Sequence, residues 1–215
     1  MLARVVTAPQ WRVWSYAAPA IVLGCSQRAL RPTLEARVQG RLPVVGREAG
    51  GGAVLTGPWL LGLSLALPPA HAWLDGGLLP GYQRLGQLHV EVLQTLGVRA
   101  RAAPPQERPS RQSRRDPDPL DWACFGGLSP WEVVDAQGRK LVGLAQRRRQ
   151  TGVLLVAGTL LSAPDWRLLC EAMDRPDDAA LLRQRTVSCE ELLGRPLAAG
   201  TVREGWARVL RQALE

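Results

Sequence analysis

The sequence predicts an α+β fold in which mixed β-sheets are flanked by helices. Three observations predict it. Short apolar runs fill the N-terminal third, a meander pattern occupies residues 131–161, and helical spacing with capping signals marks the middle and the C-terminal end.

Taken in order, WRVWSYA (Trp11–Ala17) alternates like a half-buried strand, and AIVLG (Ala20–Gly24) is a short apolar strand ending at glycine. A short helix follows, with Pro32 in its first turn and Gly40 after its end. LPVVG (Leu42–Gly46) reads as a strand, and REAGGGAVLTG as a glycine-rich turn feeding an apolar one. In GPWLLGLSLALPP, Pro68 and Pro69 end the strand. From Gly81 to Leu96 the apolar residues Leu85, Leu88, Val92, Leu93 and Leu96 recur at helical spacing, and Gly97 fits the helix stop. His89 lies in this helix and reads as a surface or boundary residue.

The segment Arg99–Pro119 is rich in Pro, Arg, Ser and Gln and predicts a mobile basic loop within a single domain of residues 1–215. Strands resume at WEVVDA (Trp131–Ala136), turn at Gln137–Gly138, continue through KLVGLAQ and return as VLLVAGTLL. Ser188-x-x-Glu191 and Thr201-x-x-Glu204 predict two capping boxes, the second opening a helix with Trp206, Val209 and Leu210 as its buried stripe.

Composition narrows the function classes. The formal net charge of +8 calls for an anionic partner without choosing one. Arginines gather in Arg99–Arg115 and Arg147–Arg149, each of which reads first as a solvated face. They are not interleaved with aromatics, so nucleic acid is not the expected partner. The most apolar run, Gly57–Ala70, carries three prolines and is shorter than the roughly 20 residues of a spanning helix, so no membrane role is expected. Cysteines at 25, 124, 170 and 189 lack metal or disulfide spacing; with only two histidines, no metal site is expected. Free thiols point to a reducing cytoplasm, and the expected state is a monomer.

Two stretches could carry chemistry. Gly50-Gly51-Gly52 lets backbone approach a ligand closely, although a tight turn is the commoner reading. It is neither a P-loop nor a dinucleotide fingerprint. Arg47 beside it is a candidate carboxylate or phosphate partner. Cys124 precedes the flexible Phe125-Gly126-Gly127, a context that favours reactivity over packing, and Lys140 is the cation that a folded-back hairpin would bring to it. Cys170 and Cys189 read as packing residues; Cys25 stays ambiguous.

The order of these elements is more specific than any one of them. LPVVGREAGGGAVLTG, ACF, WEVV with GRKLVGLAQRR, GVLLVAGTLL and TVSCEELLG together resemble the biotin/lipoate protein ligase family. Within it, the sequence is most similar to the lipoate-protein ligase A and LipM-type octanoyltransferase branch. The resemblance runs from about Trp11 to the last helix. It implies the fold of the biotin synthetase and class II aminoacyl-tRNA synthetase catalytic domains. It also implies substrate-binding roles for Arg47, Gly50, Gly51, Gly52, Ala53, Gly143, Ala145, Gln146, Gly158 and Thr159, and catalytic roles for Cys124 and Lys140. Cys124 would take an octanoyl or lipoyl group from acyl carrier protein as a thioester. A lysine of a lipoyl domain, in a 2-oxoacid dehydrogenase or the glycine cleavage H protein, would accept it. Lys140 would lower the thiol's pKa and polarise the carbonyl. No cofactor is implied for transfer; ATP and Mg would serve only an ATP-dependent ligase, the second reading. A non-catalytic lipoyl-domain or acyl-binding homologue is the third.

The sequence departs from the family pattern at several places. Gly46 replaces the first arginine of its R-R pair, and Thr56 a histidine. Leu144 replaces a serine, and Val156-Ala157 a Q-H pair. The hairpin Asp135–Gly138 is one residue longer than the LipM-type pattern. These changes imply an altered acyl substrate or weakened catalysis. The family's first helix has no counterpart before Met1, which fits a true start, a misassigned start codon or a divergent subfamily. The missing C-terminal domain of two-domain ligases fits transfer from a carrier.

Overall fold

The computed structural model describes residues 1–107 and 118–214. Its backbone forms two sheets that face each other across the core. The large sheet has six strands in the order β1-β5-β9-β8-β7-β6, all antiparallel. They are β1 (Gln10–Ser15), β5 (Leu60–Leu67), β6 (Arg101–Ala102), β7 (Val133–Val134), β8 (Lys140–Arg149) and β9 (Gly152–Leu160). The small sheet has the order β3-β2-β4, from β2 (Ala20–Leu23), β3 (Val44–Gly46) and β4 (Val54–Thr56). Its β2–β3 pair is parallel and its β2–β4 pair antiparallel, so the sheet is mixed.

Helices cover the outer faces, as the fold class predicts. α2 (Leu79–Thr95) lies on the large sheet and buries Leu85, Leu88, Val92 and Leu93. Those residues carry the spacing that predicted the helix, and Gly97 follows it at φ 83°. α6 (Ala199–Leu214) packs on α2, with Trp206 and Leu210 buried and Val209 half-buried. α1 (Arg31–Val38) and α3 (Trp166–Ala172) pack against the small sheet. α4 (Asp178–Arg185) packs on α3, and the short α5 (Cys189–Leu193) follows it.

Several expectations change. The predicted strand Trp131–Ala136 shrinks to β7. Trp131 adopts φ 65°, which breaks the extended chain. On the other side, Asp135 accepts from the backbone N–H groups of Gln137 and Arg139 and starts the turn early. The Ser188 box forms in full, but Thr201 does not cap α6. That helix already begins at Ala199, and the Thr201 N–H bonds Ala198 O. His89 is no surface residue: it is 1% exposed, with its ring against Trp206 at 4.3 Å.

The segment expected to be a mobile loop is in part ordered backbone. β6 pairs with β7, and Ala103 is buried with its N–H on Glu132 O. The Asp118 carboxylate accepts from Arg185 at 2.8 Å. The remainder of that prediction, residues 108–117, lies outside the described residues. Cys170 and Cys189 are fully buried, and burial pushes both thiols up to about 12. Their packing role therefore holds.

Candidate active site

The space between the two sheets encloses a cavity of about 390 Å³. Its floor follows from strand register. Gly62 of β5 pairs with Gly158 of β9, which pairs with Gly143 of β8. Three glycines in a row across three strands leave a trough where side chains would stand. At one end the Trp14 indole lies over Gly62, where a Cβ would be 2.3 Å from the ring, and donates to Ser64 Oγ at 3.0 Å. At the other end stand Cys124 and Phe125. Val54 and Thr56 of the small sheet form part of the roof.

Of the predicted residues, Arg47, Cys124, Gly143, Ala145 and Gly158 line the cavity. Strand alternation turns Gln146 and Thr159 to the opposite face, so the structure places neither in its wall. Gln146 is packed near Gly81 of α2 and Leu155, and no polar atom among the described residues partners its amide. Gly50, Gly51, Gly52, Ala53 and Lys140 also lie outside the lining, and they act on the site through the backbone.

The glycine turn is built to hold the cysteine loop. Arg47 donates to Gly50 O at 3.0 Å, Gly52 O at 2.7 Å and Val22 O at 3.2 Å. It thus clamps the turn to β2, although the sequence suggested a ligand for it. Gly51 sits at φ 94°, and a Cβ on Gly52 would lie 2.3 Å from Trp122 O. That close approach lets Ala53 donate to Trp122 O at 2.9 Å and accept from the Cys124 N–H at 2.8 Å.

Two cations hold the loop from the other side. Lys140 Nζ donates to Cys124 O at 2.7 Å and to Gly127 O at 3.0 Å, and pairs with Glu132 Oε2 at 2.7 Å. An ammonium has three donors, and these three contacts use them. Lys140 therefore grips the backbone of Cys124 rather than its thiol, which alters the role the sequence suggested. Arg185 donates to Gly126 O at 2.7 Å. Glu132, which sequence reasoning missed, is 1% exposed and also accepts from the N–H groups of Ser129 and Leu144. Its signal was a lone carboxylate in the apolar run WEVV. Trp14 was equally readable only as one residue of a strand.

The replaced positions take apolar or self-satisfied roles. Thr56 is buried and donates to Ala20 O at 3.0 Å. Val156 contributes apolar wall; Leu144 borders the cavity but shares the Gln146 side of β8, where its side chain is buried. Among the described residues no cluster of metal-ligating side chains exists, and no helix is long and apolar enough to cross a membrane.

Fold and site together define an α+β domain with a cysteine in the lining of a largely apolar, glycine-floored cavity. The lipoyl protein ligase A/B catalytic domain matches residues 3–211, and the chain belongs to that family. It is 32% identical over 211 residues to octanoyltransferase LipM of Moorella thermoacetica, covering 94% of this chain and 73% of that protein. To octanoyltransferase LipM of Kyrpidia tusciae it is 33% identical over 216 residues, covering 96% and 76%. The fold matches lipoate-protein ligase A bound with ATP at a TM-score of 0.65 and 18% identity, covering 94% of this chain and 73% of that one. It matches the bipartite lipoate protein ligase of Thermoplasma acidophilum, described with its E2 lipoyl domain, at 0.70 and 17%, covering 98% and 73%.

Proposed function

We propose that this protein transfers an octanoyl or lipoyl group from a carrier thioester to the lysine of a lipoyl domain, through a thioester on Cys124. The carrying observation is the position of Cys124 at the end of the glycine-floored cavity. The relatives named octanoyltransferase agree with this reading.

The trough suits a medium chain. From β8 to β5 is two strand spacings, about 10 Å. An extended eight-carbon chain, built from bonds of about 1.5 Å, has nearly that length. Trp14 closes the far end.

The reaction balances as two exchanges. The Cys124 thiolate attacks the donor's thioester carbonyl and expels the donor's thiolate, which takes up the proton that Cys124 released. The lysine amine of the acceptor then attacks the Cys124 thioester. An amide forms, and an amine proton passes to the departing Cys124 sulfur. One thioester replaces another in the first step, so its driving force is near zero. Formation of the amide makes the second step downhill. Lys140 and Arg185 are positioning residues: they fix the loop so that the sulfur faces the trough.

Intact mass spectrometry after mixing with octanoyl-carrier protein tests the reading. One octanoyl group on Cys124, lost on adding a lipoyl domain that gains it, is the expected result. No adduct and no modified lipoyl domain would sink it. Full activity of Cys124→Ala with ATP and free lipoate would establish the ligase chemistry instead.

A further inference from the structure

Cations gather at the mouth of the cavity, away from the thiol. Arg147 lines the cavity near the C-terminal end of β8, and Arg149 follows on the same strand. Arg28 approaches from the turn after β2, with its Nη2 on Arg47 O at 3.0 Å. Arg147 is held below the usual arginine range by partial burial, then by repulsion from Arg149 and Arg28, so it feels both neighbouring guanidinium groups. On this rim Glu48 pairs with two of them: it contacts Arg147, and Arg149 at 3.7 Å. Glu48 is 63% exposed, and an exposed pair of that kind contributes only about 0–1 kcal/mol. A phosphate group, with two oxygens that can each accept from a guanidinium, would displace it readily.

The position matters as much as the charge. Gly143, beside the cysteine loop, and Arg147 are four residues apart on one extended strand, about 13 Å at 3.3 Å per residue. The rim is thus within reach of the thiol side of a donor whose acyl group lies in the trough. Arg47 does not serve here, because its donors hold the glycine turn.

We propose that Arg28, Arg147 and Arg149 seat the phosphate ester of the arm that carries the acyl thioester, with Glu48 holding Arg147 and Arg149 in its absence. The inference rests on the acyl-transfer reading and deepens it. It makes the rim a selector for phosphate-bearing thioesters, whether the phosphate belongs to a carrier protein's pantetheine arm or to free coenzyme A.

The test compares three octanoyl thioesters as donors to Cys124, followed by intact mass: octanoyl-N-acetylcysteamine, which has no phosphate, octanoyl-coenzyme A and octanoyl-carrier protein. The Arg28→Ala/Arg149→Ala double variant is set beside the parent. The phosphate-free donor should acylate both proteins within two-fold. The phosphate-bearing donors should lose about ten-fold in kcat/KM, mainly through KM. Loss with both phosphate donors identifies the ester itself, and loss with the coenzyme A donor alone identifies the free thioester as the source. Loss with carrier protein alone would mean that the carrier's surface carboxylates are bound, and would overturn the proposal. Equal loss with all three donors, or none, would overturn it too. Binding of 4′-phosphopantetheine against pantetheine to Cys124→Ser provides a reading independent of turnover. Phosphate-dependent affinity that the arginine substitutions abolish supports the seat even where no acylation occurs, and equal affinities reject it.

Discussion

Lys140 brings a charge into the interior at 4% exposure, and Glu132 accompanies it at 1%. Such a pair is costly to break because one partner is left buried and uncompensated. Lys140→Ala should lower stability by about 3–5 kcal/mol in urea unfolding. Lys140→Met combined with Glu132→Gln should recover much of that, because neither residue leaves a buried charge. Acylation of Cys124 should stay low in the double variant, since Cys124 O and Gly127 O lose their donor. Recovery of stability without recovery of acylation separates positioning from folding. The alternative, in which Lys140 acts only as a charge near the thiol, predicts that Lys140→Arg keeps activity. Three contacts fitted to a compact ammonium predict that it does not.

The turn between β3 and β4 works as one device with the cysteine loop. Gly52→Ala should place a methyl 2.3 Å from Trp122 O and push that loop off the turn. We expect at least a ten-fold loss of Cys124 acylation by intact mass, with a midpoint of thermal unfolding lowered by only a few degrees. At this scale the sequence was informative where one periodicity ruled. β5, α2, β8 and β9 were all legible because each buries a continuous run or one face. WEVVDA misled because its pattern is that of a strand while Trp131 adopts a left-handed backbone and Asp135 forms a turn. The Thr201 pattern misled because a capping box is a local signal, and α6 starts two residues earlier.

Across the whole molecule, the site was legible as residue types but not as geometry. Cys124, Arg47, Gly143 and Gly158 could be named from their order along the chain. The trough could not, because it depends on the register that brings Gly62, Gly158 and Gly143 into line. Nor could the burial of His89, which comes from α6 packing over α2. That burial has a global signature. It holds His89 down at about 4, against an ordinary value of 6.5. Above pH 6.5 both folded and unfolded chains keep the ring neutral. Between there and pH 4 the unfolded chain takes a proton that the folded one refuses. Stability should therefore fall on acidification across that window, by about 3 kcal/mol in full. Unfolding free energies measured from pH 7 to 4 check this, and His89→Phe should flatten the slope.

The hydrogen bond from the Cys124 N–H to Ala53 O joins parts of the chain that are made far apart in time. A nascent chain that has built the glycine turn does not yet possess the loop it must hold. Closing that long loop carries an entropic cost that contacts between near neighbours in sequence do not. The cysteine thus takes its place beside the glycine turn only when both segments are present. An incomplete or misfolded copy presents a cysteine without a trough, and on the transfer reading proposed above it would not take up an acyl group.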